Sequence, residues 1–289
     1  MMARLLEGKD IALAMQARLR RRIKRLSRMY PKKTITLAVL SIGNNARSSS
    51  YARSQKRLAA SLGIAYVPYD FPERTPTKKI ERCIASLNRD SRVTGILISR
   101  PLPAPFSFKR LIERLDPTKD AEGLHPENIG RLAYGTGAVY PCTPQAVMRL
   151  LEEYRVDLYG RDVVIVGHSY SVGRPLSLLL LEKMATTTVC HIATSERRRL
   201  RSFVKGAEVL IVAAGVPNLI KGTWIKKGTV VVDVGFNVVN GKVIGDVEFS
   251  SARRQARLIT PVPGGVGPIT VTVLMNNVVE LFRLKVTKR

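Results

Sequence analysis

Two glycine-rich stretches hold the residues best suited to chemistry. In the first, Gly167-His168-Ser169-Tyr170-Ser171-Val172-Gly173-Arg174-Pro175 follows the apolar run Asp162 to Val166 and leads into helical spacing. Glycines at a strand-to-helix turn let the backbone pass close to a diphosphate. The free N–H groups and the dipole of the helix start favour its negative charge. The spacing is not the usual G-x-G-x-x-G, so the signal lies in the strand before it and the helix after it. The next apolar run ends in Cys190-His191-Ile192-Ala193-Thr194-Ser195, with no acid before Glu196, and Arg197, Arg198 and Arg199 follow. An acid at that strand tip accepts from ribose hydroxyls. Its absence beside three arginines suits a 2′-phosphate better than a bare ribose, although a solvated basic helix start would read the same way.

The second stretch is Pro261-Val262-Pro263-Gly264-Gly265-Val266-Gly267-Pro268-Ile269-Thr270. Its glycines and prolines fix a stiff loop with special backbone angles. Such a loop can line a ligand cleft with backbone N–H groups. Other reactive types are sparse. Cys83, Cys142 and Cys190 form no CxxC, and His125, His168 and His191 have no metal-ligand spacing. Reduced thiols in a reducing, cytoplasmic compartment and no metal site are expected.

The elements that must position these loops alternate strand and helix, which favours an α/β fold. Strands are expected over residues 34–41, 64–71 and 93–99, with helices over 48–62, 78–88 and 108–115. A loop-rich stretch, 116–141, suggests a domain junction. Thr143 and Pro144 are placed to cap and start a helix running to about Tyr154. Strands at 162–166, 186–191, 209–213 and 229–233, with helices at 172–183 and 200–205, form the doubly wound, Rossmann-like nucleotide-binding pattern. The apolar helical segment 269–284 is expected to fold back on the first domain.

The 289 residues suit two ordinary domains. No apolar run reaches the ~20 residues that cross a bilayer, and charges from Arg4 onward break up any secretory signal. The basic stretch 18–33 reads as a helix of the mature fold, since Ile11, Met15, Leu19, Ile23 and Leu26 recur at helical spacing after Asp10, a candidate N-cap. Lys and Arg number 48 against 22 for Asp and Glu, a formal net charge of +26. Such a field attracts polyanions. The basic residues are dispersed and no nucleic-acid reading motif accompanies them, so a dedicated nucleic-acid role is not expected.

Taken in order, these stretches resemble the bifunctional methylenetetrahydrofolate dehydrogenase/methenyltetrahydrofolate cyclohydrolase (FolD) family. The Pro-Gly-Gly-Val-Gly-Pro loop with Thr270 is similar to its C-terminal signature. Further matches are Gly95-Ile96-Leu97, Pro101-Leu102-Pro103, Lys119-Asp120, His125-Pro126, Gly130-Arg131-Leu132, Pro141-Cys142-Thr143-Pro144, Asp233-Val234-Gly235 and Gly245-Asp246-Val247. The resemblance implies an α/β folate-binding domain, residues 1–140 completed by the helix 269–289. It also implies a Rossmann-like NAD(P)-binding domain, residues 141–268, and a homodimer formed through the nucleotide domains. The folate would be held by Tyr51, Pro101, Leu102, Glu122, Gly264, Gly265, Pro268 and Thr270. The dinucleotide, NADP ahead of NAD, would be held by Thr143, Gly167, His168, Ser169, Val172, Gly173, Arg174, Ile192, Arg197, Ala214, Gly215, Asp233, Gly235 and Asn237.

The matched catalytic positions, Tyr51, Gln55, Ser99 and Glu122, depart from the family pattern. The resemblance implies a Lys at position 55, a Gln partner at 99 and a pterin-holding Asp at 122. Here they are Gln55, Ser99 (followed by Arg100) and Glu122. His168, Tyr170 and Ile192 stand where Arg, Asn and Ser are frequent. Hydride transfer needs alignment and no obligatory base, whereas hydrolysis of the methenyl product needs proton transfers. A neutral Gln cannot provide them. Lys56 points about 100° away from the face shared by residues 51 and 55. The expectation is a dehydrogenase with weak or absent cyclohydrolase. The competing classes are a non-catalytic member that binds folate, nucleotide or a partner, and a nucleic-acid-associated protein.

The tip at residues 190–199 predicts NADP binding ahead of NAD. Calorimetric titration with both dinucleotides checks this, and NAD binding tenfold tighter than NADP would contradict it.

Overall fold

The computed structural model describes residues 2–43 and 46–287. Along them run β1 Arg4–Leu5, β2 Thr36–Ile42, β3 Ala65–Phe71, β4 Gly95–Ile98, β5 Asp162–Val166, β6 Thr186–Cys190, β7 Val209–Val212, β8 Val230–Asp233, β9 Asn237–Val239, β10 Lys242–Ile244 and β11 Leu258–Ile259. They divide between two compact units. One comprises residues 14–142 with the chain from 271 onward, and the other comprises the chain up to residue 13 with 143–270.

In the first unit β2 lies between β3 and β4 in a parallel sheet. A central parallel strand is covered on both faces, which is why β2 is apolar almost throughout. Helix Thr77–Arg89 buries Ile80, Ile84 and Leu87, spaced four and three residues apart on one face. They pack with Ala38, Leu40, Ile96 and Ile98 of the sheet. Helix Val266–Thr287 belongs to this unit from residue 271. Its buried Asn277 donates from Nδ2 to the carbonyls of Ala121 (3.1 Å) and Tyr140 (3.0 Å).

The turn after β4 is built around a buried carboxylate. Asp120, 1 % exposed, accepts from the backbone N–H groups of Glu122 (3.1 Å), Gly123 (3.0 Å) and His125 (2.7 Å) and from Asn128 Nδ2 (3.0 Å). Lys119 points the other way, its Nζ donating to the carbonyls of Leu87 and Asp90, both at 2.8 Å. Gly123 has a positive φ of 71°, and a Cβ there would come within 2.6 Å of the Tyr140 carbonyl carbon, so glycine is required.

The second unit is a six-stranded parallel sheet in the order β1-β11-β8-β7-β5-β6. The chain leaves β5 for β6 on one side and returns to β7 on the other. The carboxyl end of β5 is therefore a topological switch point, where open α/β sheets bind ligands. β7 and β8 are buried along their whole length and form the core with Val164, Val166, Leu200 and Val204.

The structure differs from the sequence reading in several places. Residues 1–13 join the nucleotide-type unit, because β1 pairs with β11. Helix Lys9–Met29 begins before Asp10, and helix Cys142–Glu153 begins before Thr143, so neither residue is the N-cap. The stretch 116–141 contains helix Pro126–Ala133, whose N-cap His125 accepts from Glu127 N–H through Nδ1 at 3.1 Å. Among the described residues no helix is long and apolar enough to cross a membrane.

Asp120→Ala would leave the backbone N–H groups of Glu122, Gly123 and His125 without this acceptor. A loss of at least about 3 kcal/mol in unfolding free energy is expected for the first unit. Denaturant titration checks this, and a change under about 1 kcal/mol would contradict the role.

Candidate active site

In the first unit the structure gathers Tyr51, Gln55, Glu122 and Arg100 around one point, with Ser99 adjacent to Arg100 in the chain. Tyr51 and Gln55 lie one turn apart on helix Ala46–Leu62 and are hydrogen-bonded through their side chains. Gln55 is 2 % exposed, and its Oε1 also accepts from the Tyr66 hydroxyl of β3 at 3.4 Å. Lys56, the next residue, is exposed. Ser99 is held at the end of β4, its N–H donating to Leu40 (2.8 Å) and its hydroxyl accepting from Ser41 Oγ at 3.4 Å.

Arg100 Nη2 meets Glu122 Oε1 at 2.9 Å, with the two side chains 28 % and 17 % exposed. The Arg100 guanidinium also lies over the Phe108 ring, 4.9 Å from its centroid. Burial raises the Glu122 carboxyl above its usual range, Arg100 opposes this, and the Asp120 charge adds to the rise. Tyr51 keeps part of its ring in solvent, yet its phenol is pushed up. Burial is the main cause, Cys142 and Glu122 add to it, and Gln55 and Arg100 oppose it. The Cys142 thiol is raised well above its usual range, again chiefly by burial. Tyr51 and Cys142 are therefore neutral at pH 7, and Arg100 is a permanent cation.

Pro101 and Leu102 continue the segment that carries Ser99 and Arg100. Leu102 packs against the apolar core beneath the sheet. The sequence reading included neither Arg100 nor Cys142 among the site residues. Cys142 lies within the matched Pro141-Cys142-Thr143-Pro144 run, and Arg100 was singled out only as an unusual cation beside Ser99.

In the second unit the Gly167 to Gly173 loop closes on itself at the switch point. A Cβ on Gly173 would sit 1.8 Å from the Gly167 carbonyl oxygen, and one on Gly167, at φ 126°, would sit 2.3 Å from that of Ala213. Ser169 Oγ accepts from Val172 N–H at 3.1 Å. Arg174 Nε donates to the His168 carbonyl at 3.0 Å, so this arginine buttresses the loop. His168 and His191 bring their rings within 5.2 Å, while Ile192 and Arg197 stand exposed beside them in the chain. The cradle and basic rim fit a dinucleotide phosphate. Thr143 is half-buried at the start of its helix.

Of the residues read as cofactor contacts, Asp233 and Asn237 are buried, while Ala214 and Gly215 stand exposed with their backbone N–H groups engaged. The Asp233 carboxylate accepts from the N–H groups of Gly235 (2.8 Å), Val247 (2.9 Å) and Asp246 (3.0 Å). Asp246, not foreseen as a site residue, accepts from Ala214 (2.6 Å) and Gly215 (2.8 Å) N–H and from Asn237 Nδ2 (2.8 Å). Asp233, Asn237, Ala214 and Gly215 thus build the loops at the β7 and β8 tips, and their named polar groups are already engaged. Gly235 and Gly245 must be glycine, since a Cβ would come within 2.4 Å of Asp246 Oδ1 or 2.0 Å of Asp233 Oδ2.

The loop 261–268 is fixed by the N-terminal segment. Gly8 N–H donates to the Gly264 carbonyl (2.9 Å), and Gly265 N–H donates to Pro261 (2.9 Å). The Thr270 hydroxyl donates to the Val266 carbonyl in its own helix at 3.2 Å. Pro268, two residues earlier on the same helix, is half-buried. Among the described residues no cluster of three or more His, Cys, Asp or Glu could hold a metal ion.

Residues 6–122 match the catalytic-domain model of tetrahydrofolate dehydrogenase/cyclohydrolase, and residues 141–286 match its NAD(P)-binding-domain model. The chain is 41% identical over 283 residues to the bifunctional protein FolD of a Sulfurihydrogenibium species, covering 97% of this chain and 98% of the relative. It is also similar to the structure of Trypanosoma brucei N5,N10-methylenetetrahydrofolate dehydrogenase-cyclohydrolase complexed with NADP and inhibitor (TM-score 0.94, 34% identity, 99% of each chain). A third likeness is to the bifunctional enzyme FolD of Campylobacter jejuni (TM-score 0.92, 37% identity, 98% and 99% of the chains).

Burial and the nearby Asp246 raise the Asp233 carboxyl to about 6, against the pull of three backbone N–H groups. Between about pH 4 and 6 the folded chain then binds more protons at this group than the unfolded chain. Its stabilising contribution, at most about 3 kcal/mol, is present below pH 4 and is lost as pH rises through 6. Carboxyl ¹³C NMR is expected to show Asp233 titrating near pH 6. A midpoint below 4 would contradict the account.

Proposed function

The chain belongs to the tetrahydrofolate dehydrogenase/cyclohydrolase family, and from that premise we propose that it oxidises 5,10-methylenetetrahydrofolate to the 5,10-methenyl form and leaves the hydrolysis of that product essentially uncatalysed. In the oxidation the methylene carbon gives up a hydride, and its two flanking nitrogens share the resulting positive charge. NADP supplies the acceptor for that hydride. This chain's part is to align the reacting carbon and exclude water, which needs no protein base. Tyr51, as a neutral phenol, can donate to the substrate, and the Glu122 carboxylate can accept from the N–H edge of the pterin.

The observation that carries the uncoupling is the buried amide of Gln55. It lies beside Tyr51 with no proton to take or give at ordinary pH. The groups around it do not replace a base. Tyr51 and Cys142 hold their protons, Arg100 cannot release one, Lys56 faces solvent, and Lys119 is tied to two carbonyls. Glu122 is paired to Arg100.

The Gly167 to Gly173 cradle and the basic 191–199 tip support NADP as the preferred dinucleotide. A homodimer through the nucleotide-binding units and a cytoplasmic site belong to the same reading, supported by the family resemblance and the free thiols of Cys83, Cys142 and Cys190.

Hydrolysis of methenyltetrahydrofolate by the unmodified protein is expected at least about 100-fold below its dehydrogenase turnover, the scale of a lost general base. Gln55→Lys should restore part of the hydrolysis. Gln55→Lys with Ser99→Gln should restore more than either change alone, as coupled neighbours do. Comparable rates of the two reactions in the unmodified protein would refute the uncoupling. If both are nil while folate and NADP still bind, the chain is a non-catalytic member of the family.

A further inference from the structure

Glu122 stands where burial and a neighbouring carboxylate both oppose its negative charge. Its own turn places the Asp120 carboxylate nearby, buried and in hydrogen bonds to the same stretch of backbone, including Glu122 N–H. Helix Ala46–Leu62 presents the neutral Tyr51 phenol, and helix Cys142–Glu153 presents the neutral Cys142 thiol, 4.0 Å from the Glu122 carbonyl oxygen. Gln55 and Ser99 bring no charge. Among the described residues the cation acting on the Glu122 carboxylate is Arg100, in contact at 2.9 Å. Arg100 is itself held in place, since its guanidinium lies over the ring of Phe108, which is anchored in the core at the start of its helix. A planar cation clamped between an aromatic face and a carboxylate fixes where that carboxylate points.

We propose that Arg100 is a positioning residue for the substrate, holding the Glu122 carboxylate as an anion in a fixed place to accept from the N–H edge of a pterin. The inference rests on the folate reading above and extends it to a residue that touches Glu122 rather than the reacting carbon. Arg100 thereby places a positive charge at this site from the loop after β4, while the helix face of Tyr51 and Gln55 stays neutral. The charge it supplies cannot shuttle protons. The same device that supports binding therefore leaves hydrolysis unassisted.

The test uses the full-length protein, ¹³C-labelled at glutamate carboxyls, as the unmodified chain, Arg100→Gln and Arg100→Lys. In the unmodified chain Glu122 is expected to be anionic at pH 7. Arg100→Gln should raise its titration midpoint by at least about one pH unit. The KM for methylenetetrahydrofolate should rise about tenfold or more at pH 7, with kcat changed far less. This KM defect should shrink as pH is raised and the carboxylate ionises again. Arg100→Lys keeps a point charge without the planar fork. It should restore most of the titration shift and only part of the KM.

A Glu122 midpoint unchanged by Arg100→Gln overturns the proposal, as does a KM–pH profile that superimposes on that of the unmodified chain. A Glu122 already protonated at pH 7 in the unmodified chain overturns it even if neither variant folds. If Glu122 responds as expected but the unmodified chain binds no methylenetetrahydrofolate, the folate reading fails and the ion-pair half of the proposal is supported.

Discussion

The candidate site depends on one buried carboxylate that does no chemistry. Asp120 gathers three backbone N–H groups and the Asn128 amide within 3.1 Å, and so dictates the path of the chain from Asp120 to His125. Burial raises its carboxyl, and the four donors act in the opposite direction. That balance has a structural consequence. The turn is held by charge-assisted hydrogen bonds whose loss would strand several buried donors. Glu122 is the one carboxylate side chain this turn presents outward, and its direction follows from a backbone it does not control. Asn277 closes the arrangement by donating to the Ala121 and Tyr140 carbonyls, one of several contacts of the last helix with this unit.

The nucleotide-type unit uses the same principle at the tips of β7 and β8. Asp233 and Asp246 are buried and turned onto backbone N–H groups, with Gly235 and Gly245 making room for their oxygens. Burial, with the neighbouring Asp246 charge adding to it, raises the Asp233 titration. The outward-facing surface at the switch point is the Gly167 to Gly173 loop together with the exposed His191, Arg197, Arg198 and Arg199 at the β6 tip. In both units buried acids act as internal scaffolding, Asp120 in the first and Asp233 with Asp246 in the second.

Much of the fold was legible because its signals are long and periodic. The central strands β2, β5, β7 and β8 are near-continuous apolar runs, as strands buried on both faces must be, and helix Thr77–Arg89 shows its buried stripe at three- and four-residue spacing. The elements that escaped are those too short to show a period. β1 and β11 have two residues each, and β9 and β10 form a three-residue ladder. Because β1 escaped, the grouping of the chain up to residue 13 with the nucleotide-type sheet was not foreseen. The caps at Asp10 and Thr143 missed by one or two residues, an ordinary uncertainty at helix ends. At the site, the missing Lys was visible from the resemblance alone, and the i, i+4 geometry of Tyr51 and Gln55 was visible from helix periodicity. The inward turn of Asp233 and Asn237 was not, since a sequence does not say which hydrogen bonds a polar side chain has already made. The Arg100 to Glu122 contact spans twenty-two positions, and no local spacing announces it.

The departures at Gln55, Ser99, Arg100 and Glu122 are more coherent as a set than one by one. Gln55 fits its buried place between Tyr51 and Tyr66, where an amide can both donate and accept without a counter-charge. An ammonium there would need a partner, and Ser99, whose hydroxyl is turned to Ser41, offers only a short neutral oxygen. Glu122, carrying one methylene more than an aspartate, reaches a guanidinium on the segment after β4, and that guanidinium rests on Phe108. Each substitution thus makes sense in the presence of the others, which is the pattern of local consistency that selection for a single folded state produces. A site merely decaying would leave a buried carboxylate unpaired or a polar pocket half-satisfied. Here the Glu122 carboxylate has a partner in Arg100, and the buried amide of Gln55 has hydrogen-bond partners in Tyr51 and Tyr66.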